Sequence, residues 1–302
     1  GEADAEQAAR ESAAPANPAP EAPSVTEQDT LGSRLARDPV GNGLAVAVLA
    51  GLVVSVGLVV AGSREPALAA PARRAHRASR EARKTRGVRL AGFTSWLATV
   101  LVGLVALGVA ITLIARAGGD MLAVVLATAS SAMLAAVVAA ALATGLRQRS
   151  AGKTPLAPTW LIPLAALAGL AAAIYLASVE VGGQEAACGI VGDCNAVQQS
   201  PYALLFGVLP IGVLGLVGYA AILVAWMVGW LGSGKLADLA HAALLLMALF
   251  GVLFSIYLTF LEPFVIGATC AWCLTSALTM LLILWLVAAP GWRALERLGS
   301  AA

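Results

Sequence analysis

Residues 239–261 read LAHAALLLMALFGVLFSIYLTFL, and residues 262–289 continue EPFVIGATCAWCLTSALTMLLILWLVAA. The first run holds no Asp, Glu, Lys or Arg and exceeds the roughly 18 apolar residues that suggest a membrane span. The second opens with Cys270-Ala-Trp-Cys273 and stays apolar from Ala268 to Ala289. Working outward, five further stretches have the same character: Gly43 to Gly62, Ala91 to Ala115, Met121 to Leu146, Trp160 to Ala177 and Tyr202 to Leu231. At about 1.5 Å per helical residue each can cross a hydrocarbon core of roughly 30 Å. With 60% of the chain hydrophobic and only 12% charged, the sequence predicts an all-α polytopic membrane protein without a soluble domain of useful size.

Three regions follow. Residues 1–39 are rich in Ala, Pro and Glu and lack apolar periodicity, so they read as a disordered acidic tail. Residues 40–150 form a three-helix transmembrane module whose first connection, residues 64–89, is dense in arginine. Residues 151–302 supply four more spans. The glycines at 207, 212, 215 and 218 suit helices that approach closely, although a bias of composition towards small residues would look the same.

The net charge of +2 is small and its basic residues lie between spans, which speaks to topology and not to nucleic acid. Arg73 to Arg89 reads as a topology anchor, or as a basic helix on anionic lipid. Placing it in the cytoplasm puts Arg147, Arg149, Lys153, Lys235, Arg293 and Arg297 on the same side. The acidic tail, the loop from Glu180 to Ser200, and Cys270 with Cys273 then fall outside. That is a multi-pass protein of the cytoplasmic membrane with its C-terminus inside and all four cysteines in the compartment where disulfides persist. An exported tail beginning at Gly1 fits removal of a signal peptide, and equally a cloning remnant.

All four cysteines fall in two close pairs, Cys188 with Cys194 and Cys270 with Cys273. A C-x-x-C at the start of a helix sets its first thiol near free backbone N–H groups and the positive end of the dipole, which favours thiolate. Two such pairs can pass electrons one to the other, whereas a structural bridge needs one pair. Two inert disulfides, or a four-cysteine zinc site, share the spacing; His76 and His241 are placed near the opposite face and argue against metal. A transporter would show internal repeats and charged residues within spans. An assembly subunit with structural disulfides stays open, because residues 40–150 carry no chemistry of their own.

The stretch Cys194-Asn-Ala-Val-Gln-Gln-Ser200-Pro-Tyr-Ala-Leu-Leu-Phe-Gly-Val-Leu-Pro210, running on to Gly215 and Tyr219, closely resembles the vitamin K epoxide reductase family in its bacterial form. The order of features agrees: a span, a loop with two cysteines, a serine six residues past the second, two spans, then C-x-x-C opening a fourth. The likeness covers about residues 155 to 290. It implies a four-helix bundle around a quinone, menaquinone or ubiquinone, as electron acceptor. On that resemblance Cys273 reacts with the quinone and Cys270 is its disulfide partner. Cys194 exchanges with Cys270, and Cys188 forms the mixed disulfide with a thioredoxin-like protein. Ser200 matches the family's active-site serine; locally it reads equally well as a helix N-cap ahead of Pro201. Trp272 is expected either against the quinone or as an aromatic at the membrane interface.

Departures from the family are informative. Where the vertebrate enzyme has a tyrosine after the C-x-x-C, Cys273 is followed by Leu-Thr-Ser and then Ala277. The resemblance then implies a respiratory quinone in place of an epoxide. Many relatives carry a fused thioredoxin-like domain, which is not found after Arg297, so the partner is expected to be a separate protein. Asp193 could tune Cys194 or simply be solvated. Glu262 could move protons, although a span-ending carboxylate normally faces water.

Overall fold

The computed structural model describes residues 30–62, 96–114, 120–151, 158–188 and 192–300. The acidic tail as far as residue 29, the basic loop 64–89, and Arg116 and Lys153 lie outside the described residues.

The chain is a bundle of membrane-length helices. A short helix α1 (Leu31–Arg37) leads into α2 (Pro39–Gly62), and α3 (Trp96–Ile114) and α4 (Met121–Ser150) complete the first module. The second half holds α5 (Leu161–Gly182), the short α6 (Cys194–Gln198), α7 (Ile211–Leu231), α8 (Gly234–Leu261) and α9 (Ala271–Ser300). Seven of these helices are long and apolar enough to span a membrane. The fold is therefore the expected all-α polytopic one.

Four helices make the core. The C-terminal helix α9 is the most buried span, packed between α8 and α5, while α7 packs on α5 and α8. The first module sits against this bundle. Helix α4 lies along α5, and α2 lies along α8 and α9. Helix α3 reaches α4 through a Trp96 Nε1 that donates to Ala141 O at 2.7 Å. At the other end of α9, Arg297 Nε donates to Asp238 Oδ1 at 2.9 Å, tying the C-terminal end of α9 to the start of α8.

Small residues set the approach of α7 to α5. A Cβ added at Gly212 would stand 2.6 Å from Ala177 N, and one at Gly215 would touch Ala173. The expectation of close approach therefore holds at these two positions. Gly218 faces open space and Gly207 belongs to a turn with φ of 73°, so neither serves helix contact.

Three local readings change. Residues 31–37, counted in the disordered tail, form a helix whose Arg34 Nη1 donates to Phe264 O at 2.9 Å. Residues 202–210, read as the start of a span, form a 3-10 turn (Pro201–Ala203) and a two-stranded hairpin, β1 (Leu204–Leu205) and β2 (Leu209–Pro210). Pro201 and Pro210 bracket this segment and cannot donate interior helix hydrogen bonds, so α7 begins only after Pro210. Glu180, placed in the outer loop, is instead the last polar residue of α5, which runs on to a left-handed cap at Gly183.

Candidate active site

Both cysteine pairs meet at one end of the bundle, and each is built around a helix start. Asp193 Oδ1 accepts from Ala196 N at 3.0 Å and caps α6, so Asp193 serves as a cap. This cap fixes Cys194 as the first residue of α6, whose backbone N–H donates to Cys188 Sγ at 2.9 Å. The C-x-x-C repeats the arrangement at the start of α9, where Cys273 N donates to Cys270 Sγ at 3.4 Å. In each pair the first sulfur thus accepts the backbone N–H of the second cysteine.

The thiols connect in a line. The sulfurs influence one another in sequence, Cys188 with Cys194, Cys194 with Cys270, and Cys270 with Cys273. All four are free thiols. Cys194 and Cys270 are fully buried, whereas Cys188 and Cys273 are half-buried at the two ends of the line. The protonation tendencies alternate. The Cys194 thiol and its backbone N–H hold Cys188 below the ordinary thiol range against the opposing effect of burial. Cys194, buried and facing the Cys188 and Cys270 sulfurs on either side, is pushed far up. Burial acts to raise Cys270, but hydrogen bonds from Cys194, Cys273 and Gln198 outweigh it and leave this thiol well below its usual value.

Several groups that the sequence reading left aside complete the site. Gln198 Nε2, from α6, donates to Cys270 Sγ at 3.8 Å and to Cys273 Sγ at 3.9 Å. Glu262 is buried, in contrast to the water-facing position expected of it. Its carboxylate accepts from Cys270 N at 3.3 Å, and it lines the small cavity that also touches Cys273. The π-helical turn Glu262–Ile266, which contains Pro263, turns this side chain inward. Glu180 accepts from Gly212 N at 2.7 Å. Glu180, Gln198, Ser200 and Glu262 bring polar groups to a small, otherwise apolar cavity of about 30 Å³ that also touches Cys273.

Below this polar end lies a cavity of about 430 Å³ between α5, α7, α8 and α9. Its walls are almost wholly apolar, with Cys273, Thr259 and Ser276 among the few polar groups, and Ala277 part of its lining. Tyr219 forms one wall; its hydroxyl donates to Ser276 O at 2.9 Å, and Gly169 makes room for its ring. Val217, Leu246 and Phe250 line the cavity and are exposed on the outer surface of the bundle, so it opens sideways between α7 and α8. The volume and the almost wholly apolar lining fit a flat apolar ring of quinone size.

Two expected site residues are placed differently. Trp272 is buried away from this cavity. Its ring lies 4.4 Å from that of Tyr175, and its Nε1 donates to Ala187 O at 2.9 Å. It ties the C-x-x-C to the residue before Cys188, because a side chain between two cysteines of a helix start points away from the face both thiols share. Ser200 lines the small cavity beside Cys273, but its hydroxyl donates to Val197 O at 2.7 Å and caps no N–H. Pro201 does occupy the first position of the following turn. Among the described residues no three His, Cys, Asp or Glu side chains are arranged to hold a metal ion.

No curated protein and no solved structure matches the chain. Residues 160–288, which enclose the four core helices, both cysteine pairs and the cavity, match the Vitamin K epoxide reductase family, so the bundle is a domain of that family and the chain a multi-pass membrane oxidoreductase.

Proposed function

We propose that this protein is a thiol oxidase that moves electrons from a separate thioredoxin-like dithiol protein through Cys188, Cys194, Cys270 and Cys273 to a membrane quinone, menaquinone or ubiquinone. The observation that carries the reading is the meeting of both cysteine pairs at one end of the bundle, from half-buried Cys188, whose sulfur accepts from Cys194 N, to Cys270 and Cys273, both reached by Gln198 Nε2, with Cys273 on the wall of the apolar cavity. The positive-inside count supports an orientation with this end of the bundle outside the cytoplasmic membrane, where exported proteins acquire disulfides.

The cycle begins with both pairs oxidised. A partner thiolate attacks Cys188, the Cys188–Cys194 bond breaks, and Cys194 leaves as thiolate. The partner's second thiol then attacks its own sulfur of the mixed disulfide and expels Cys188. A depressed Cys188 makes this departure easy. Cys194 next attacks Cys270 and releases Cys273. Cys188 closes back onto Cys194 and expels Cys270, whose own depressed value again suits a leaving group. The Cys270–Cys273 disulfide re-forms as its two electrons leave through Cys273. A quinone bound in the cavity supplies the sink for two electrons and two protons. One partner dithiol becomes a disulfide for each quinone converted to quinol, and the two thiol protons balance the sum. Ala277 leaves space where a tyrosine would stand, which favours a quinone ring over an epoxide as the acceptor.

The test follows quinone absorbance in detergent-purified protein supplied with a reduced thioredoxin-like protein. Wild type is expected to turn over, Cys273→Ala to be inactive, and Cys188→Ala to regain activity only with a small dithiol. Absence of turnover with both benzoquinones and naphthoquinones would overturn the reading.

A further inference from the structure

The first three spans lie outside the family domain, yet their polar side chains reach the cysteine-bearing segments. Asn42, near the start of α2, is buried and its amide is shared between two elements. Its Nδ2 donates to Gly267 O at 3.3 Å and to Arg34 O at 3.1 Å, and its Oδ1 accepts from Thr269 Oγ1 at 3.0 Å. Thr269 immediately precedes Cys270. Arg34 and Arg37 of α1 donate to Phe264 O and Ile266 O of the turn that carries Glu262. Gly267, in the left-handed region at φ of 79°, lies against Arg34: an added Cβ would sit 3.2 Å from the arginine's own. On the other pair, a Cβ at Gly192 would stand 2.1 Å from Thr269 O, so the segment held by Asn42 is also the floor of the loop that ends at Cys194.

A second strut has the same character. Asp120 caps α4 through Leu122 N and Ala123 N, and its other oxygen accepts from Tyr175 Oη at 3.1 Å. Tyr175 Oη in turn accepts from Ala187 N at 2.6 Å, beside Cys188, while its ring lies tilted against Trp272. Polar groups are costly to bury in a membrane bundle, and here Arg34, Arg37 and Asn42 hold the Phe264–Thr269 stretch that leads into Cys270, while Asp120 reaches Ala187, beside Cys188, through Tyr175.

We infer that the N-terminal helices α1 and α2 are a positioning clamp for the redox pair, with Asn42 fixing the Gly267–Thr269 segment so that Cys270 is held between Cys194 and Cys273. Thiol exchange needs three sulfurs nearly in line, and small misplacements in such reactions are expensive, on the order of tenfold to a hundredfold in rate. A clamp outside the domain sets that alignment without adding a group to the reaction. The inference rests on the electron path proposed above for its biological meaning, but its readout does not need a quinone.

Full-length wild type, Asn42→Ala, Arg34→Ala and Ser130→Ala are equilibrated in dithiothreitol redox buffers, and the Cys270–Cys273 pair is read by alkylation and peptide mass. Ser130 is the control: it is also buried and bonds the first module to the domain, donating to Ala168 O at 3.1 Å, but far from any cysteine. Because the clamp fixes the backbone that carries Cys270, its loss is expected to shift the disulfide-to-dithiol ratio by roughly tenfold in Asn42→Ala and by a few-fold in Arg34→Ala. Ser130→Ala is expected to leave the ratio unchanged. Quinone turnover, run in parallel, is expected to fall in kcat with an unchanged KM for quinone. Equal shifts in all three variants would reduce the clamp to ordinary docking, and no shift in Asn42→Ala and Arg34→Ala would overturn it. Should Asn42→Ala fail to fold, Arg34→Ala against Ser130→Ala decides. Wild type inert towards quinone, with the ratio still moved in the two clamp variants, would sink the proposed function and leave the clamp standing.

Discussion

Gln198→Leu isolates one hydrogen-bonding group at the centre of the relay. The amide of Gln198 meets Cys270 at 3.8 Å and Cys273 at 3.9 Å, near the outer limit for bonds to sulfur. A hydrogen bond to a charged group contributes about 1.5–3 kcal/mol, and the length here argues for less, about 1 kcal/mol. Leucine of similar size removes it from the reduced pair, where Cys270 carries thiolate character, and hardly affects the disulfide. The pair should therefore become easier to oxidise. By the two-electron relation the potential falls by about 20 mV and the disulfide-to-dithiol ratio rises about fivefold. Folding stability should barely change, because the Oε1 of Gln198 is buried without a hydrogen-bond partner and its removal relieves that cost. The assay is equilibration against graded dithiol buffers with alkylation of trapped thiols, alongside thermal unfolding in detergent. A potential that stays put or rises would refute the account of Cys270 as a thiolate held by donated hydrogen bonds.

Three further outcomes are expected. Alkylation of Cys188 in the reduced protein should show a pH midpoint below that of a free cysteine peptide titrated alongside, because the thiolate persists until pH falls through the lowered value; a midpoint at or above the peptide's would contradict the Cys194 N–H and thiol as its stabilisers. Stability from this group is likewise complete above the ordinary thiol range and lost as pH falls through the lowered one. Trp272→Phe deletes the bond to Ala187 O, costing about 1 kcal/mol, and should slow transfer between the two pairs in stopped-flow thiol trapping while KM for quinone holds; a rise in that KM would return Trp272 to the cavity. Ala277→Phe fills part of the cavity and should raise KM for quinone at least tenfold with partner oxidation in a single turnover unchanged, whereas an unaltered KM would place the quinone elsewhere.

The spans were legible because lipid demands long apolar runs, and the cysteine pairs because few other residues share their chemistry. Residues 202–210 misled for the same reason: Leu204, Leu205 and Val208 are as apolar as a helix, and only Pro201, Gly207 and Pro210 marked the hairpin. Glu262 was underrated because hydropathy cannot see that a π-helical turn at Pro263 redirects a span-ending carboxylate inward. Asn42, Asp120 and Gln198 carry no motif at all. Their partners lie 225, 55 and 72 residues away in the chain, and only the packing of α2, α4 and α6 brings them to the cysteines.

The burial profile of the four sulfurs gives the line its direction. Cys194 and Cys270 have no exposed surface, so a small oxidant or a stray thiol in water cannot reach them. Cys188 and Cys273 are partly exposed, and Cys273 lines the apolar cavity. In the proposed relay a protein thiol and a lipid-dissolved ring would each meet one sulfur, so that electrons entering at one end would leave at the other. The same enclosure makes alignment stringent. A buried sulfur cannot be replaced by a freely diffusing one, so any looseness in the Gly267–Cys270 segment is felt directly as lost transfer. That is why polar groups committed by α1 and α2 to this short stretch, at a real desolvation cost, are better understood as serving the relay than as serving the bundle.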